Sequence, residues 1–161
     1  DALQELSKLS SRAWLIGNLP YNISTPLLVE ILNLDPLPLS CVFTLQKEVG
    51  ERMAAEPKTK AYGAVSVLIQ NFYDVQRLKT LNNSVFFPEP NVESVVLRMD
   101  AKKNVKSSAK MRADFYRFLK LGFSHRRKML RKVLPVKSNA RAEELSPQEW
   151  IELYGTLRGK F

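Results

Sequence analysis

The residue types best suited to chemistry stand together in one short run, Asn18-Leu19-Pro20-Tyr21. An exocyclic amine such as the N6 group of adenine is a poor nucleophile, because its lone pair is delocalised into the ring. An amide oxygen and a backbone carbonyl that accept its two N–H hydrogens draw the nitrogen toward a tetrahedral shape, and a proline stiffens the loop that holds them. An aromatic side chain can stack on a base taken out of its helix. Asn18, the carbonyl of Leu19, Pro20 and Tyr21 supply these parts consecutively. No strong general base is required, because the nitrogen becomes acidic only once methylated. The lack of a catalytic histidine or carboxylate pair is therefore compatible with this chemistry. The same four residues equally suit a plain strand-ending turn in any α/β protein.

Other chemistries find less support. His125 is the sole histidine and Cys41 the sole cysteine, so an internal disulfide is excluded and no metal site is expected. Cys41, in the apolar run Cys41-Val42-Phe43, reads as a small buried hydrophobe. No apolar run of about 18 residues is present to span a membrane. The 161 residues suit one domain, or a domain with a small appendage. Charge is divided unevenly. Residues 1–100 carry 9 Lys/Arg against 11 Asp/Glu, whereas residues 101–161 carry 16 against 5. A near-neutral body with a strongly basic tail points to a polyanionic partner, with nucleic acid ahead of an anionic membrane surface.

The elements that must position Asn18 to Tyr21 follow from apolar spacing. Residues 1–9 read as helix or turn. The run Ala13 to Gly17 reads as a buried parallel strand delivering Asn18 into a loop. Ser24-Thr25-Pro26 predicts a hydroxyl-capped helix with Leu27, Leu28, Ile31 and Leu32 inward, stopped at Asp35-Pro36. A strand over 40–45, a helix over 47–55, and a helix over 64–72 with Val65, Leu68, Ile69 and Phe72 inward come next. Strands over 75–81 and 94–99 then flank a proline-punctuated loop at 85–92. This alternation argues for the second half of an α/β sheet domain. Residues 101–109 are polar and aperiodic, and all that follows reads as helical. One helix spans 112–123 with Phe115, Phe118, Leu119 and Gly122 on one face. Another spans 126–134 with Met129, Leu130, Val133 and Leu134 inward. A third opens at Ser146-Pro147-Gln148-Glu149 as a capping box, backed by Trp150, Leu153, Tyr154 and Leu157.

Five blocks in order resemble the ribosomal RNA adenine dimethyltransferases of the kasugamycin-resistance type. They are Asn18-Leu19-Pro20-Tyr21-Asn22-Ile23-Ser24; Gln46-Lys47-Glu48-Val49 with Arg52; Tyr62-Gly63 with Ser66-Val67 and Gln70; Phe86, Pro88, Pro90, Val92 and Ser94; and Phe123 with Arg126-Arg127-Lys128 and Leu130. The resemblance implies the second half of a Rossmann-like methyltransferase sheet over 1–101, followed by a basic, all-helical RNA-binding domain over 102–161. It implies S-adenosylmethionine as methyl donor and N6,N6-dimethylation of two adjacent adenosines in small-subunit ribosomal RNA. It also implies a cytoplasmic, monomeric enzyme working on the pre-30S particle without metal or membrane. Carried over residue by residue, Asn18 and the Leu19 carbonyl hold the target amine in a loop stiffened by Pro20. Tyr21 and Phe86 sandwich the adenine. Asp1 and Asn18 lie on the cofactor, and Arg126, Arg127, Lys128, Arg131 and Lys132 contact RNA phosphates.

The family begins with a strand and a glycine-rich cofactor loop that this chain does not show, so the chain is expected to be a fragment, weak in cofactor binding and inactive alone. An exposed sheet edge should limit its solubility. Met129 and Lys58 stand where the family often has threonine and glycine. Rival readings are the erythromycin-resistance type that modifies 23S RNA, a mitochondrial transcription-factor relative, a DNA adenine methylase, and a non-catalytic RNA-binding or ribosome-assembly module.

Overall fold

The computed structural model describes residues 13–103 and 107–157. The expectation for residues 1–9 and the cofactor role of Asp1 lie outside them. Four strands form one mixed sheet in the order β1-β2-β4-β3: β1 is Trp14–Asn18, β2 Ser40–Gln46, β3 Tyr73–Leu81 and β4 Ser94–Ala101. β1 runs parallel to β2, whereas β4 runs antiparallel to both β2 and β3. The α-helices are α1 (Ser24–Ile31), α2 (Lys47–Met53), α3 (Ala64–Phe72), α4 (Ala109–Phe123) and α5 (Pro147–Leu157).

Apolar burial explains the sheet. Cys41, Phe43 and Leu45 of β2 alternate inward with Val95, Leu97 and Met99 of β4, all at most 3% exposed. Each such side chain contributes roughly 1.5–3 kcal/mol relative to exposure. α2 crosses β4 closely at Gly50, where an added Cβ would meet a Val95 methyl at 2.2 Å. β1 is less covered than a two-sided parallel strand should be, because Trp14 and Ile16 on one of its faces are 65% and 79% exposed.

The block from Tyr62 to Gln70 works as a clasp on α2. The Ser66 hydroxyl accepts the Gly63 N–H at 3.0 Å and donates to the Arg52 carbonyl. Gln70 donates to the carbonyls of Met53 and Ala55, both at 2.8 Å. The Gln70 bonds satisfy carbonyls that the end of α2 would otherwise leave free. Within α3, Val67 is buried rather than the expected Val65, which is only half-covered.

The buried cluster continues past residue 101. Phe72 of α3 meets Phe115 of α4 edge-on at 6.3 Å, and Phe118 and Phe123 pack on Trp150 of α5. Gly122 admits that contact, since a Cβ there would lie 2.4 Å from the Trp150 ring. The Ser146–Glu149 capping box forms as expected, with Ser146 N–H to Glu149 Oε2 at 2.7 Å and Glu149 N–H to Ser146 Oγ at 3.2 Å. Arg112 is 2% exposed and reaches back to the carbonyls of Leu32 and Leu34, just after α1.

Two sequence expectations fail. Ser24 does not cap α1. It lies inside the first turn, its hydroxyl donates to the Pro20 carbonyl at 2.9 Å, and Ile23 takes the N-cap place. Residues 126–134 do not form a helix. Residues 124–128 turn, Met129 bridges to Arg141, and only Leu130–Lys132 make a 3-10 turn. Backbone donors there are claimed by a neighbouring segment: Leu130 N–H goes to Ala140 O and Arg131 N–H to Ser138 O. Leu130 and Leu134 are buried as expected, but Met129 is 41% exposed.

Candidate active site

At the end of β1 the chain leaves the sheet in a turn closed on itself. Leu19 N–H bonds Thr44 O at 2.9 Å, carrying the β1–β2 ladder one residue past Asn18. The Pro20 carbonyl accepts both the Ile23 N–H and the Ser24 hydroxyl. The Leu19 side chain is buried while Asn18 is exposed, so the loop is anchored by one residue and presents the one before it. Among the described residues, neither the Asn18 amide nor the Leu19 carbonyl takes a hydrogen-bond partner. Two acceptors on a fixed loop are thus left for a ligand.

The second wall comes from the connection between β3 and β4. Asn82 caps a 3-10 turn over Asn83–Val85 by accepting the Ser84 N–H, and Phe86 follows directly. At the other end Lys47 holds Glu93 twice, backbone N–H to carbonyl at 2.9 Å and ammonium to carboxylate at 2.6 Å. That carboxylate raises the pKa of Lys47. The loop is therefore pinned at both ends while its proline-rich middle projects.

The two loops enclose a cleft of about 350 Å³ lined by Asn18, Leu19, Pro20, Tyr21, Phe86, Phe87, Pro88 and Pro90. Its size lies within the range of about 300–1,000 Å³ usual for small-ligand sites. Every sequence-derived catalytic candidate (Asn18, Leu19, Pro20, Tyr21 and Phe86) lies on this one cleft. From its wall, the Tyr21 hydroxyl reaches Ser94 Oγ at 2.6 Å. Ser94 is fully buried and pairs in register with both Gln46 and Leu81, which makes it a rigid anchor. Sequence reading noted Ser94 only as part of a motif. Its contact with Tyr21 spans 73 residues and leaves no local signal in the sequence.

The model of the ribosomal RNA adenine dimethylase family matches residues 3–153. The chain belongs to this family. Among curated relatives, the small-subunit ribosomal RNA methyltransferase A of Neisseria meningitidis is 35% identical over 99% of this chain and 67% of its own length. The namesake from Cytophaga hutchinsonii is 40% identical over 91% of this chain and 60% of its own. The chain thus spans about two thirds or less of these relatives. In fold, the family member matches a dimethyladenosine transferase from Plasmodium falciparum at a TM-score of 0.80 and 22% identity, covering 94% of this chain and 69% of the other. It matches the 23S ribosomal RNA methyltransferase ErmE at 0.64 and 16% identity, covering 95% of this chain and 69% of the other. The sheet is accordingly part of a Rossmann-like methyltransferase fold.

The five basic candidates separate into two kinds. Arg126 is exposed but tied to the body of the protein, its guanidinium donating to the carbonyls of Lys60 and Tyr62 at 3.0 and 2.9 Å and pairing with Glu143 at 3.2 Å. Arg127, Lys128, Arg131 and Lys132 are exposed and, among the described residues, pair with no carboxylate. No group of three or more His, Cys, Asp or Glu side chains among the described residues is placed to hold a metal ion. No helix among them is long and apolar enough to cross a membrane.

Proposed function

We propose that the complete protein transfers methyl groups from S-adenosylmethionine to adenine N6, twice per base, on two adjacent adenosines of small-subunit ribosomal RNA. The convergence of Asn18, Leu19, Pro20 and Tyr21 with Phe86 on one cleft carries this reading. The substrate is the pre-30S particle, and the protein acts on it as a cytoplasmic monomer. The donor supplies an electrophilic methyl group on a sulfonium. Its fit is supported by the unpartnered Asn18 amide, exposed at the carboxyl end of a parallel strand, where ligands of open α/β sheets bind.

The chain's own groups do the rest. The Asn18 amide oxygen and the Leu19 carbonyl accept the two N6 hydrogens and localise the nitrogen lone pair. Tyr21 stacks on one face of the flipped adenine and Phe86 on the other. Pro20, Pro88 and Pro90 limit loop motion, so the acceptors need not reorganise during transfer. The proton leaves to water after methylation. Arg127, Lys128, Arg131 and Lys132 bind phosphates, while Arg126 fixes the segment that carries them.

The test is methyl transfer from labelled donor to small-subunit particles by the complete protein and its Asn18→Ala variant. The variant should lose roughly 10²–10³ in kcat with RNA binding retained. Wild-type protein that binds the RNA without turnover would establish instead a non-catalytic RNA-binding module. Methylation of 23S RNA alone would establish the erythromycin-resistance type.

A further inference from the structure

Phe87 is fully exposed, at 103% of the reference area for a free phenylalanine. It nevertheless lines the same cleft as Phe86. Phe86 has extended backbone angles (φ −111°, ψ 150°), so the two consecutive rings are directed to opposite sides of the loop. Phe86 is half-covered inside the cleft and Phe87 stands on its rim. Val85 and Val92 on the same loop are 64% and 44% exposed, which extends the apolar rim. A large aromatic held in water contributes nothing to stability, and this one is held there by a loop fixed at both ends.

We infer that Phe87 is a stacking platform for the nucleotide next to the flipped adenine, a second base subsite on the rim of the catalytic cleft. This rests on the methyltransferase reading of the cleft. An adenine seated against Phe86 brings its neighbours to the rim through the covalent backbone. A base leaving a stack regains contact most readily on an exposed aromatic face, whatever its sequence. The occupant is therefore single-stranded RNA, and the subsite holds the adjacent base while its neighbour is methylated.

The experiment compares wild type, Phe87→Ala and Phe87→Trp in the complete protein. The probe is a short single-stranded RNA with two consecutive adenosines, followed by direct binding and by methyl transfer. Phe87→Ala should weaken binding and raise KM roughly 5- to 100-fold. It should leave kcat within about threefold and the unfolding temperature unchanged, since the ring is wholly exposed. Phe87→Trp should restore binding. Equal RNA affinity in wild type and Phe87→Ala overturns the inference, including the case where the variant loses a protein partner instead. Binding is read without turnover, so a wild type that binds but transfers no methyl overturns the functional reading and leaves the Phe87 comparison intact.

Discussion

The Tyr21 hydroxyl and Ser94 Oγ, 73 residues apart in sequence, meet at 2.6 Å and join the two loops of the cleft. The bond fixes the tilt of the ring on which the base is proposed to stack. Removing either partner leaves the ring in place but free to turn. Tyr21→Phe and Ser94→Ala should each lower kcat/KM about 5-fold, in line with about 1 kcal/mol for one hydrogen bond. The double variant should cost no more than the larger single one, because both remove the same contact. Additive losses in steady-state kinetics of the complete protein would show that the two residues act separately.

Arg112 makes a second long-range tie. Its guanidinium donates to the carbonyls of Leu32, Leu34 and Ser107 at 2.5, 2.7 and 2.5 Å, and to Ser107 Oγ at 2.9 Å. A buried cation satisfied by carbonyls leaves several acceptors bare when it is removed. Arg112→Ala should destabilise the protein by about 3–5 kcal/mol in urea unfolding. Arg112→Lys should rescue little, because a point ammonium cannot span the fork. Rescue by lysine to wild-type stability would show that charge alone matters there.

Lys58 has φ +67°, the left-handed region that disfavours a side chain. Relief of about 1–2 kcal/mol exceeds the entropic penalty of glycine, about 0.5–1 kcal/mol. Lys58→Gly should therefore stabilise by about 0.5–1 kcal/mol. The Lys58 N–H to Glu143 O bond at 2.7 Å is kept in the variant. A lower midpoint in denaturant would contradict the strain argument.

Burial pushes the Cys41 thiol from 9.0 up to about 12, and burial likewise raises the Tyr62 and Tyr73 phenols. In each case the folded pKa lies above the unfolded one. The stability they contribute is complete below pH 9 and is lost as pH rises through the folded values. Unfolding free energy should be level near pH 8 and fall between pH 9 and 12, with no more than about 4 kcal/mol from Cys41. Denaturant titrations at pH 8, 10 and 11 check the slope, and a flat profile would sink it.

Much of the site was legible because local rules and long-range placement agreed. A strand ending at Asn18 and a proline-punctuated loop after Phe86 are both local signals. Their meeting followed from the ordered blocks that carried the family resemblance. The basic segment was not legible. Met129, Leu130, Val133 and Leu134 carry a helical period, but a run of like charges weakens a helix, and bonds from residues 130 and 131 to the 138–140 segment compete successfully. The bonds of Arg126 were hidden for a related reason: sequence shows its charge, not the carbonyls of Lys60 and Tyr62 that hold it. Ser94 and Arg112 were silent because their partners lie 73 to 80 residues away.

The antiparallel return of β4 beside β2 has one more effect. Ser94 reaches Tyr21 only while it stands opposite Gln46. A two-residue slip of β4 would keep every side chain on its proper face of the sheet, so burial alone would scarcely resist it. It would carry Ser94 about 7 Å along the strand and release the tyrosine. A molecule misthreaded in this way would fold with a full core and an unusable cleft, so the position of one phenol gauges whether the sheet was assembled in the right frame.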